Sequence, residues 1–197
     1  INYATRSVIY NAKRKLKAAG LPDVNFIEQK KGIYYWKKEF PVEEDASEFE
    51  RLCRDADEEK DLDNKLGLYL EACYAYKGEF LAPQAGVLWI AQESRRYRTL
   101  FYACVEKAVQ ILRVNQDFLQ MEELGLYAAR ICPLADWESV TMEALVSLGR
   151  YEEARKFYED TVDLYFQKEG RKTSSRLMEW FNKLGSQFDY EYEALED

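Results

Sequence analysis

The sequence predicts a mostly α-helical protein in two parts. A short basic segment of one helix and one β-hairpin, the second half of a winged helix, is followed by a larger acidic α-solenoid. Three observations lead there. Residues 1–38 hold nine Lys/Arg against two acids (Asp23, Glu28), a balance of +7, while the rest of the 197-residue chain carries −15 within a net charge of −8. The apolar spacing changes from a period of 2 to one of 3.6 near residue 40. Beyond it, stop and start signals at Gly78, Pro83, Pro133, Gly149 and Gly170 divide a series of helix-like stretches.

Residues 1–19 read as the first helix. Ala4, Val8, Ala12 and Leu16 fall on one stripe, expected to be buried, with Tyr3, Arg6, Tyr10, Lys13, Arg14 and Lys17 on the opposite side. Gly20-Leu21-Pro22-Asp23 ends it. The runs 24–29 and 33–36 follow as two short strands joined by Lys30-Lys31-Gly32, whose glycine takes the positive φ of a hairpin turn. A recognition helix enters the major groove and a basic wing touches backbone or minor groove. The candidate DNA contacts are therefore Tyr3, Arg6, Ser7, Tyr10, Lys13, Arg14, Lys17, Lys30 and Lys31. Arg6 and Tyr10, nearer the helix N-terminus, are assigned to base edges, and Arg14, Lys30 and Lys31 to phosphates.

Phe40-Pro41-Val42-Glu43-Glu44-Asp45 reads as a linker, dividing the chain into domains 1–40 and 41–197. Ser47-x-x-Glu50 is expected to form a capping box opening a helix through Phe49, Leu52, Cys53 and Ala56. Helices are expected at 46–59, 62–77, 84–113, 117–132, 136–148, 151–168 and 174–187. The expected core includes Leu100, Phe101, Cys104, Leu124, Ala128, Leu145, Ala154 and Tyr158, together with Trp89, Trp137 and Trp180.

Three resemblances attach to these residues. Residues 4–16 look like the recognition helix of response-regulator-type winged helices, and Lys31-Gly32-Ile33-Tyr34-Tyr35 is similar to their wing; the likeness covers the second half of that domain, and Asn11 stands where an arginine is common. Gly149, Tyr151, Ala154 and Tyr158 fall where a tetratricopeptide repeat places its turn glycine and packing residues. The order Tyr76-Lys77-Gly78-Glu79-Phe80-Leu81, then Trp89 with Glu93, Arg95 and Arg98, then Cys132-Pro133-Leu134, then 148–154, resembles the bacterial transcriptional activator domain of SARP-type antibiotic regulatory proteins over residues 46–184. Residues 169–175 depart from that family's proline-containing segment. The resemblance implies a transcriptional activator whose first segment grips promoter DNA, with RNA polymerase and a second copy of the chain as candidate partners of the helical body. The alternative is a tetratricopeptide-type interaction scaffold without DNA binding.

Much chemistry is excluded on composition. The chain has no histidine, which removes imidazole bases, His-based triads and the zinc motifs that need it. Cys53, Cys73, Cys104 and Cys132 form no C-x-x-C pair and lie in apolar stretches, so they read as packed thiols in a reducing, cytoplasmic setting. The acidic run 55–63 has Lys60 where a calcium loop requires glycine. Glu122/Glu123 and Glu152/Glu153 read as solvated surface, and no glycine-rich nucleotide loop is present. The expectation is a non-enzymatic protein with no cofactor, no metal and no membrane partner.

Overall fold

The computed structural model describes residues 3–42, 44–133, 135–170 and 172–193, with 3–4, 166–169 and 186–193 described through their backbone. Of the positions covered above, Ile1, Glu43, Leu134, Arg171 and the side chains of Tyr3 and Ala4 lie outside the described residues. The chain divides by internal contacts into two units, residues 1–44 and 45–197. The first holds α1 (Tyr3–Ala18), β1 (Ile27–Lys30) and β2 (Ile33–Trp36). The second holds α2 (Asp45–Glu58), α3 (Leu62–Ala75), α4 (Leu88–Asn115), α5 (Phe118–Ile131), α6 (Glu138–Ser147), α7 (Tyr151–Glu169) and α8 (Ser175–Glu193), with one 3-10 turn at Ala82–Gln84.

In the helical unit each helix packs on its successor, and α2 also meets α4 and α6 meets α8. Phe49, Leu52 and Ala56 of α2, Tyr69 and Cys73 of α3, and Phe101, Val105 and Leu112 of α4 form one core that continues into Met121, Leu124 and Ala128 of α5. A second core joins Met142 and Leu145 of α6 to Ala154, Leu177 and Leu184. The boundaries follow local chemistry. Asp61 caps α3 by accepting from the Asn64 N–H at 2.9 Å, and Asp117 caps α5 through the Gln120 N–H at 3.1 Å. Gly149 ends α6 with φ +71°, while the Gly149 and Arg150 amides return to the carbonyls of Val146 and Leu145 at 3.0 Å. The acidic run 55–63 is spent on such work: Asp55 pairs with Arg51, Asp57 with Lys107 and the Tyr69 hydroxyl, and Asp61 on the cap.

Several expectations change. The capping box does not open α2, which begins at Asp45, before Ser47, with the Asp45 carboxylate accepting from the Ala46 amide. Glu50 instead reaches across to Arg96 of α4. Val8 is 67% exposed, since the seam of least exposure on α1 is rotated to Ile9, Ala12 and Leu16. Trp89 is 55% exposed at the start of α4, with its ring set edge-on to Phe80; Trp137 is buried and Trp180 half-buried. Leu100 and Tyr158 are also half-buried, with Tyr158 stacked on Phe181 at 3.9 Å. Glu122 is no surface residue: its side chain is 16% exposed and pairs with Arg150. No helix among the described residues is long and apolar enough to cross a membrane.

Helices α5 and α6 approach so closely that a Cβ on Gly125 would lie 2.6 Å from Thr141 Oγ1 and 3.0 Å from the Thr141 amide nitrogen. The backbone there cannot give as a flexible side chain would. Gly125→Ala is therefore expected to lower unfolding free energy by about 1–3 kcal/mol in urea titration. Ala154, fully buried between α6 and its neighbours, should show a loss of similar size, about 1–3 kcal/mol, on Ala154→Leu.

Candidate nucleic-acid interface

Helix α1 carries no acid in its first turn and ends with Lys15 and Lys17, a charge order that suits its dipole at the C-terminus. Arg6, Tyr10, Lys13, Arg14 and Lys17 recur at helical spacing on one face, away from the Ile9, Ala12 and Leu16 seam. All five are exposed, as is Ser7 beside them, and Tyr10 is 67% exposed. Lys17 is joined to Asp23 at 2.5 Å. Arg6, Lys13 and Arg14 have no carboxylate partner among the described residues. Such a face offers forked and point-charge donors with an aromatic hydroxyl between them.

The hairpin is tighter than its sequence suggested. Lys30 belongs to β1, opposite Ile33, so the turn is the two residues Lys31-Gly32 alone. Both have positive φ, +51° and +83°, which makes the right-twisting turn that two-residue hairpins prefer. The second strand spans Ile33–Trp36 as expected, while the first starts later than expected, at Ile27, because Phe26 is pulled inward. Its ring is 5% exposed, stacked at 5.3 Å on Trp36 and set edge-on to Phe40 at 4.8 Å. The Phe26 carbonyl accepts from the Lys37 amide at 2.8 Å, and the Trp36 indole donates to the Phe40 carbonyl at 2.7 Å. These bonds tie both strand ends to a small aromatic cluster.

One side of the hairpin forms an open concavity of about 780 Å³ lined by Lys30, Lys31, Lys37 and Lys38 with Ile33, Tyr35 and Trp36, and by Glu28 and Glu39. The two glutamates are engaged, Glu28 with Lys30 at 2.9 Å and Glu39 with Lys37 at 3.3 Å. Lys31 and Lys38 are thus left as its uncompensated charges. Tyr35 and Trp36 present 45% and 39% of their surface beside them. Lys30 and Lys31, the wing residues expected from the sequence, line this concavity, and Lys38, Tyr35 and Trp36, which are not among the candidates read from the sequence, lie beside them. Their signal in the sequence is the Lys37-Lys38 pair that follows β2 and the Tyr35-Trp36 pair within it.

Among the described residues no group of three or more acids or cysteines is placed to hold a metal ion. A family model described as the bacterial transcriptional activator domain matches residues 44–184. No curated protein and no solved structure matches the chain.

Removing the ring on which the hairpin closes tests this construction. Phe26→Ala should strip hydrogen-exchange protection from the amides of the β1–β2 ladder, since truncating a buried phenylalanine costs about 3–5 kcal/mol and a two-stranded sheet has little stability of its own.

Proposed function

The chain belongs to the bacterial transcriptional activator domain family, and from that membership we propose that it is a non-enzymatic transcriptional activator of the SARP type that binds promoter DNA through residues 1–40. The single observation that carries the reading is the place of the basic unit. A helix with a cationic face and a hairpin with a lysine tip stand together immediately before the residues that match the family. Helix followed by basic hairpin is the order of recognition helix and wing in a winged helix. The helical body, with its helix-by-helix packing, its Gly149 turn and Ala154 at a helix crossing, supports a tetratricopeptide-like solenoid that makes the protein contacts, with RNA polymerase or a second copy of the chain.

On this reading the contacts divide by chemistry. Arg6 and Tyr10, toward the N-terminal half of α1, take base edges, with Ser7 and Lys13 beside them. Arg14, Lys30 and Lys31 take phosphates, and Lys17 joins them when it leaves Asp23. Lys38 and the Tyr35 and Trp36 rings extend the wing's contact along the backbone.

The test is fluorescence anisotropy on duplexes selected by the protein itself, over a range of salt. Arg6→Ala should cost roughly 1–3 kcal/mol at the selected site and relax its sequence preference. Lys31→Asn keeps a residue that accepts positive φ, so the turn survives while the charge is lost. It should weaken all duplexes equally and lower the salt slope by about one. Absence of binding to selected and random duplex at low salt would overturn the proposal in favour of a peptide-binding scaffold.

A further inference from the structure

Two of the four free cysteines meet inside the helical body. Cys53 of α2 and Cys104 of α4 are 6% and 3% exposed, and their Sγ atoms are 3.2 Å apart. That separation is shorter than the roughly 3.8 Å at which a tetrahedral zinc would hold two thiolates with Zn–S near 2.3 Å. No third acid or cysteine completes a metal group among the described residues. The 3.2 Å separation lies between van der Waals contact and a bond. We propose that Cys53 and Cys104 are an oxidant-modifiable dithiol that closes to a disulfide and ties α2 to α4.

The surroundings prepare the two thiols for unequal roles. Asp57 stands one turn after Cys53 on α2, and Lys107 one turn after Cys104 on α4, and these two side chains are paired with each other. The hydrogen bond with Cys53 holds the Cys104 thiol below its ordinary range against the opposing effect of burial, with the Lys107 ammonium adding to it and the Asp57 carboxylate opposing it. The same hydrogen bond, together with burial, pushes the Cys53 thiol up. With the Lys107 ammonium one turn along its own helix, Cys104 is taken as the attacking sulfur, and Cys53, one turn before the Asp57 carboxylate, as the resolving one.

With hydrogen peroxide as oxidant, the Cys104 thiolate attacks one oxygen and the O–O bond breaks. Cys104 becomes a sulfenic acid, and the departing hydroxide takes the thiol's proton as water. Cys53 sulfur then attacks the Cys104 sulfur, the S–O bond breaks, and the hydroxide leaves with the Cys53 proton as a second water. Two thiols and one peroxide give one disulfide and two waters. A thiol reductant reverses the change by exchange.

The experiment treats the folded full chain with excess hydrogen peroxide, blocks remaining thiols with an alkylating agent, and maps the digest by mass spectrometry without reduction. The expected result is a linked Cys53–Cys104 peptide, alkylated Cys73 and Cys132, and a melting temperature higher by roughly 5 °C or more that dithiothreitol returns to its starting value. A chain with Cys73→Ala and Cys132→Ala should keep both the bond and the shift; Cys53→Ala and Cys104→Ala should each lose both. If a variant fails to fold, the peptide map of the unaltered chain decides. Four alkylated thiols after peroxide, a different pairing, or a bond that forms only in urea would overturn the proposal.

Discussion

The helical body depends on a short helix that has almost no solvent face. In α6 every residue from Ser139 to Leu145 is buried. Such a helix is stable only when wrapped, and α5 covers one side while α7 and α8 cover the other. Val140 and Ala144 belong to the core built from α2 to α5, and Met142 and Leu145 to the core shared with α7 and α8. The helix is the common wall of two cores that would otherwise be separate. Its polar side chains therefore go inside and must be met there. The Ser139 hydroxyl donates to the Asp136 carbonyl at 2.7 Å, and Glu143, 7% exposed, takes a two-pronged bond from Arg113 of α4 at 2.5 and 2.8 Å. Thr141 has room only because residue 125 of α5 has no Cβ, and its hydroxyl finds no partner among the described residues.

The Arg113–Glu143 pair belongs to a wider pattern that explains the charge balance. Glu50 pairs with Arg96 and Asp57 with Lys107 between α2 and α4, and Glu122 of α5 pairs with Arg150 in the turn between α6 and α7, so that neighbouring elements are linked across the fold. Arg51 and Arg155 are each shared between two carboxylates of their own helices. Many cations of the body are thus engaged in pairs, while the body as a whole carries a surplus of acids and a negative field. In the first unit the order is reversed. Cations outnumber the acids, and Arg6, Lys13, Arg14, Lys31 and Lys38 have no carboxylate partner among the described residues. Segregated charge of this kind directs a polyanion to one part of a chain and away from the rest.

The sequence made the elements legible and their faces less so. Periodicity, glycine and proline located the helices because backbone chemistry acts locally: Gly149 announces its own turn, and Asp61 and Asp117 announce the helices they cap. The placement of Val8 and Trp89 inside the core failed because burial depends on what packs against a helix, which spacing on one helix does not record. The α6 region illustrates the same limit from the other side. Thr141 and Glu143 are held inward by Gly125 and Arg113, 16 and 30 residues away, and nothing in the spacing of α6 itself records those partners. In the hairpin the turn was visible through Gly32, while the aromatic closure of Phe26 on Trp36 and Phe40 was not, since its partners lie beyond the strand period. The approach of Cys53 to Cys104 across 51 positions left no trace in spacing at all.

The tip of the hairpin shows how local strain and chemistry meet. A turn with positive φ at both central residues is most easily made by Asn-Gly or Gly-Gly. Here the first of them is Lys31 at φ +51°, a conformation that costs a residue with a Cβ roughly 1–2 kcal/mol. Nothing within the hairpin repays that cost through Lys31 itself: it is exposed, and the neighbouring glutamates are held by Lys30 and Lys37. The compensation comes from the other end, where Phe26, Trp36 and Phe40 pack and two hydrogen bonds close the strand ends. A stiff base thus carries a strained tip, and what the strain secures is a positive charge at the farthest point of the hairpin. That arrangement serves contact with an anion better than it serves stability. It is the physical feature that most directly supports reading the hairpin as a wing.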